Sequence, residues 1–138
     1  MAAVSDLPIL LATMKPELRP GNFVFCVLPP NDWTRAGELN PVVTVRETEG
    51  LTVVVAQAVA AAHGLATEPA MRMITLTVHS DLEAVGLTAA FARALTEARI
   101  SANVVAGYHH DHIFVPQHRA DDAMAALKAL QAAHGAIA

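Results

Sequence analysis

The chain has 138 residues, a formal charge of -4, 54% hydrophobic residues and only 16% charged ones. That length suits one ordinary domain or two small lobes. The absence of any lysine–arginine block excludes the basic stripe of a nucleic-acid surface, and the sparse charge predicts a homo-oligomer, with a dimer the simplest form.

The longest apolar run, Leu51 to Ala62, is interrupted by Gln57 and falls short of the roughly 20 residues a bilayer span needs. No membrane partner is expected. The N-terminal stretch has no basic segment and carries Pro8 within its apolar run, so a signal peptide is not expected and a cytoplasmic location is. Cys26 is the single cysteine. It sits in an apolar run and is expected to be a small buried residue with no disulfide partner.

In chain order, Ser5-Asp6 reads as a helix start, and Leu7, Leu10, Leu11 and Met14 follow one helical face until Pro16 stops it. Phe23 to Leu28 reads as a buried strand, and Trp33 to Asn40 as loop, with Trp33 anchoring it on the core. Val42–Arg46 and Leu51–Val55 flank Glu47-Thr48-Glu49-Gly50 as a hairpin. Ala56 to His63 is a short helix ended by Gly64, with His63 on its terminal carbonyls. Leu65 to Pro69 is a connector, dividing the chain into lobes 1–66 and 70–138.

In the second lobe, Met71 to His79 alternates, with Ile74, Leu76 and Val78 on one face. A helix from about Val85 to Ala98 shows the seam Leu87, Phe91, Leu95. Ile100 to Tyr108 and His112 to Val115 read as strands, and Arg119 to His134 as a helix with Ala123, Leu127, Leu130 and His134 in its stripe. This is the ferredoxin-like order without its last strand. Ala136 to Ala138 are too few to supply it, so the edge must come from the N-terminal half or from another chain.

Two stretches carry candidate chemistry. Ser80 and Glu83 have capping-box spacing at a helix start, a position that also offers free N–H groups to an anion, and Gly86 permits close backbone approach. Tyr108-His109-His110-Asp111-His112 falls at the turn between two strands. Residues two apart share a strand face, so His110 and His112 can converge with Asp111 opposite. Three readings stay open for His109, His110, Asp111 and His112: a metal site, a ligand or interface contact, and a structural turn. No nucleophile elbow or phosphate loop is present, so no enzymatic activity is expected.

Four segments carry a family resemblance: Leu11 to Leu18, Phe23 to Cys26, Ile74 to Ser80 and Asn103 to Tyr108, together with the loop Ser80-Asp81-Leu82-Glu83-Ala84-Val85-Gly86-Leu87 and the strand opening Ile100 to Val104. They resemble small stand-alone bacterial proteins built from tandem ACT domains. The resemblance implies an α/β (α+β) ferredoxin-like fold of two ACT-like lobes, with antiparallel sheets and helices on one face. It also implies a non-enzymatic, allosteric regulatory role, an amino acid or similar small metabolite as partner, and no cofactor. The ligand residues it implies are Ser80, Asp81, Val85, Gly86 and Leu87, with Asn103 and Val104 as the adjoining strand edge. The chain departs from the family loop in placing Val85, where aspartate or proline is usual, before Gly86.

Overall fold

The computed structural model describes residues 3 and 5–135. Its elements are α1 (Leu7–Ala12), β1 (Pro16–Leu18), β2 (Phe23–Leu28), α2 (Trp33–Glu38), β3 (Val43–Arg46), β4 (Leu51–Ala56), α3 (Gln57–Ala62), β5 (Met71–Leu76), α4 (Leu87–Glu97), β6 (Asn103–Ala106), β7 (Asp111–Pro116) and α5 (Ala120–Gly135). Contacts group them into two compact units. One joins the described residues up to Pro20 with those from Arg72 onward, and the other is Gly21–Met71.

In the first unit the strand order is β1–β5–β7–β6. The strand missing from the ferredoxin-like order is β1, which runs antiparallel to β5 with Pro16 opposite Leu76. Three residues beginning with a proline were too short to read as a strand. Ile74, Leu76, Ile113 and Val115 point to one sheet face, where Leu10 and Leu11 of α1, Phe91 and Leu95 of α4, and Leu127 of α5 cover them. Burying each such side chain contributes about 1.5–3 kcal/mol. The Leu87–Phe91–Leu95 seam is buried as its spacing predicts. Ala136 to Ala138 lie outside the described residues.

The second unit orders its strands β3–β4–β2. Val24, Cys26, Leu28, Val53 and Val55 pack with Ala36 and Leu39 of the α2 region and with Ala60 of α3. Cys26 is buried, and that burial raises its thiol pKa. Trp33 to Glu38 is a helix and not the expected loop, because the Asp32 side chain accepts the Arg35 N–H at 3.2 Å and caps its start. Trp33 is 47% exposed and does not anchor on the core. The expected contact of His63 is present, with Nδ1 3.0 Å from the Val59 carbonyl.

Candidate functional site

The site is built in the first unit, where the chain leaves β5 and where β6 turns into β7. The β5 strand ends at Leu76, short of the expected His79, and Thr77 to Gly86 runs as a loop into α4. Ser80 and Glu83 do not form the expected capping box: α4 begins at Leu87, beyond both. The loop is tied by Asp81 instead, whose side chain accepts the Glu83 N–H at 2.9 Å and whose carbonyl accepts the Ala84 N–H at 3.0 Å. The N-cap of α4 is Gly86, at φ 102°, and no side chain among the described residues caps the helix. The first N–H groups of an 11-residue helix are thus left open at its positive end.

Gly86 is favoured by its left-handed dihedral, and its lack of a Cβ also leaves room for a Leu7 methyl group. A Cβ there would lie 2.8 Å from Leu7 Cδ2. Gly86 therefore seats the loop against α1, and Val85 beside it is 84% exposed.

The hairpin turn is closed by the Gly107 N–H, which donates to the His110 carbonyl at 2.9 Å. Beyond it the β7 residues alternate. Asp111 falls in phase with Ile113 and Val115 on the helix-covered face. The residue is 9% exposed, and its carboxyl makes no side-chain hydrogen bond or ion pair among the described residues. Burial raises its pKa, partly offset by the neighbouring His112 and His110.

Asp111, Ser80, Asp81, Leu87 and Thr88 line a cleft of about 90 Å³. An adjoining hollow of about 300 Å³ shares Ser80, Asp81 and Leu82 with it and adds His79 and Tyr108. The arrangement puts two carboxylates and two hydroxyls, those of Ser80 and Thr88, beside a helix N-terminus that no described side chain caps. It can pair a cationic group with the carboxylates and a carboxylate with the helix N–H groups.

Of the residues the sequence points to, Ser80, Asp81 and Leu87 line this cleft. Val85 lies outside it, and Gly86 contacts Leu7. Asn103 is exposed at the end of β6 far from the cleft, three residues or about 10 Å along the strand from Ala106. Val104 packs against the helix-side core. Asp111 is the lining residue that the turn reading obscured. Its alternation with Ile113 and Val115 is the signal that places it.

The histidines of the same stretch diverge. His112 Nδ1 is 2.9 Å from the Thr75 hydroxyl, His110 Nδ1 is 3.1 Å from the Val78 carbonyl, and His109 Nδ1 is 3.3 Å from His79 Nε2. His110 and His112 do not converge as strand alternation suggested, because His110 precedes β7 and belongs to the turn. Among the described residues no three histidine, cysteine, aspartate or glutamate side chains come together to hold a metal ion. No helix among the described residues is long and apolar enough to cross a membrane.

Comparison with known proteins places this geometry in context. Family models for ACT domains match residues 2–72 and residues 69–129. No curated protein sequence matches the chain. A Vibrio cholerae protein of unknown function, described as a possible transport protein, is 49% identical over 91% of this chain and 95% of its own, with a TM-score of 0.82. The regulatory subunit of aspartate kinase from Thermus thermophilus superposes with a TM-score of 0.60 at 9% identity, over 86% of this chain and 98% of that one. The alpha and beta subunits of an aspartokinase give 0.62 at 10% identity, over 83% and 95%. At such identities the aspartate kinase structures attest the shared fold.

Proposed function

Because the chain belongs to the ACT-domain family, whose domains are regulatory ligand-binding modules, we propose that it is a non-enzymatic regulatory protein that binds an amino acid by its main-chain head. The ammonium group pairs with Asp111 and Asp81, and the carboxylate takes the open N–H groups at the start of α4. Ser80 and Leu87 form the cleft walls, and the ligand side chain extends into the hollow beside Leu82 and Tyr108.

One observation carries this reading. Asp111, a residue 9% exposed whose carboxyl has no partner among the described residues, lines the same cleft as Leu87 and Thr88 at the start of α4. Partial burial disfavours the charged form of this carboxyl, and a ligand ammonium beside it would favour that form again. The cleft of about 90 Å³ has room for a main-chain head and little more, so selectivity rests with the outer hollow. Gly86 and Val85 act indirectly, by setting the loop. Asn103 and Val104, on the β6 edge, suit pairing with a second copy in a cytoplasmic dimer. We take 1–66 and 70–138 as the two ACT-like sequence segments, with α1 and β1 of the first packing into the compact unit of the second. Regulation then requires that the ligand favour one of two assembly or partner states.

The test is a thermal-shift panel of the free amino acids, repeated with N-acetyl and C-amide forms of any that respond. A free amino acid that stabilises the wild type, with both blocked forms losing the shift, supports the zwitterion reading. No response to any amino acid, or equal response to the N-acetyl form, counts against it and leaves a purely structural dimerisation role.

A further inference from the structure

A second cavity, of about 560 Å³, opens elsewhere on the same unit, and its ionisable lining is of one kind: Lys15, His79, His109 and His110. Among the described residues no carboxylate lines it. This is the reverse of the Asp81–Asp111 cleft, with which it shares no lining residue; with the outer hollow it shares His79. Its volume falls within the range of small-molecule sites.

Lys15 is held there by its backbone. Its φ of 47° is a left-handed conformation that a non-glycine residue adopts at a cost. Three contacts hold that conformation. The Lys15 N–H donates to Gln131 Oε1 at 3.0 Å, and its carbonyl accepts the Thr77 N–H at 3.3 Å and the Thr77 hydroxyl at 2.9 Å. The side chain forms no ion pair among the described residues. A lysine fixed by its backbone at the rim of a cavity, with no counter-ion among the described residues, is a point charge available to a ligand.

The histidines add a donor. His79 Nε2 and His109 Nδ1 are 3.3 Å apart with the rings edge to face, so one proton lies between them. With both rings neutral, the pair's second proton must sit on an outer nitrogen, either His79 Nδ1 or His109 Nε2. In both directions of the hydrogen bond the pair presents one outer N–H. The two threonine hydroxyls of the lining are already committed as donors, Thr13 to the Ile9 carbonyl at 2.6 Å and Thr77 to the Lys15 carbonyl. An anion must therefore be held by Lys15 and the histidine pair. Ile9 and Val78 give the same cavity an apolar wall.

We propose that this cavity is a second ligand site, selective for a small organic anion with an apolar body, its carboxylate on Lys15 and the His79–His109 pair and its body against Ile9 and Val78.

The test is an amide NMR titration of the full chain with 3-methylbutanoate and, separately, with 3-methylbutanamide, which has the same shape and no charge. The acid is expected to give saturable shifts confined to residues 13–15, 77–79 and 109–110. The amide is expected to bind about tenfold more weakly, the loss of one charge-assisted contact. Lys15→Gln should weaken acid binding by about the same factor, and His109→Phe, in the exposed turn, should do so without touching the strained Lys15 backbone. Equal binding of acid and amide would overturn the proposal. So would the absence of acid-induced shifts at these residues, or acid binding that both variants leave unchanged.

Discussion

The Thr75 hydroxyl on β5 lies 2.9 Å from Nδ1 of His112 on β7, joining neighbouring strands of the sheet through a ring that burial keeps from charging. Burial lowers the His112 pKa first, and the nearby His110 lowers it further, while Asp111 opposes them. The unfolded imidazole takes up its proton near pH 6.5, whereas the folded one stays neutral to lower pH. The unfolded state then binds more protons, so this contribution to stability is intact above pH 6.5 and is lost as pH falls through the depressed value. Urea melts from pH 8 to pH 5 should show stability declining with acidity in the wild type and a shallower decline in His112→Gln. Identical slopes would refute the assignment.

Asp111 has the opposite sign. Its raised pKa means that the folded state disfavours the ionised carboxyl, so the penalty is present at neutral pH and is relieved as pH falls through the raised value. Asp111→Asn should therefore be at least as stable as the wild type at pH 7 by denaturant melt. A marked loss of stability would show that the carboxylate serves the fold.

Gly86→Ala should destabilise the fold by roughly 1–3 kcal/mol, combining the left-handed φ with the 2.8 Å approach to Leu7 Cδ2. Leu7→Ala in the same chain removes the contacting methyl group. The paired substitution should then cost less than the sum of the two single ones in urea melts, and strict additivity would contradict the contact.

Gln131 of α5 binds the end of α1 with both amide atoms, Nε2 donating to the Ala12 carbonyl at 3.1 Å and Oε1 accepting the Lys15 N–H at 3.0 Å. Gln131→Ala should cost roughly 1–3 kcal/mol and speed hydrogen exchange at Lys15. Unchanged exchange there would show that the left-handed Lys15 turn is held by the Thr77 contacts alone.

The ferredoxin-like frame was legible wherever a single periodicity governed. The i, i+4 seam of Leu87, Phe91 and Leu95 and the alternation of Ile74 with Leu76 each marked a buried face. Trp33 to Glu38 was not, because its only buried residue is Ala36 and Gly37 interrupts it. Its helix rests on the Asp32 cap, a signal that was present in the sequence. The loop after β5 was misread because Ser80 and Glu83 have capping spacing while Gly86 sets the true helix start. Asp111 was grouped with its histidine neighbours by adjacency, although its strand phase assigns it with Ile113 and Val115. The fourth strand, Pro16–Leu18, depends on pairing with a segment nearly 60 residues away, which no local pattern encodes.

The central claim is that Asp111 receives a ligand ammonium, and its most direct test is calorimetric titration of the best-stabilising amino acid into the wild type and into Asp111→Asn. The account predicts at least a tenfold weaker Kd in the variant, the loss of a charge-assisted hydrogen bond, with the folded state intact. An unchanged Kd in a folded Asp111→Asn protein would contradict it.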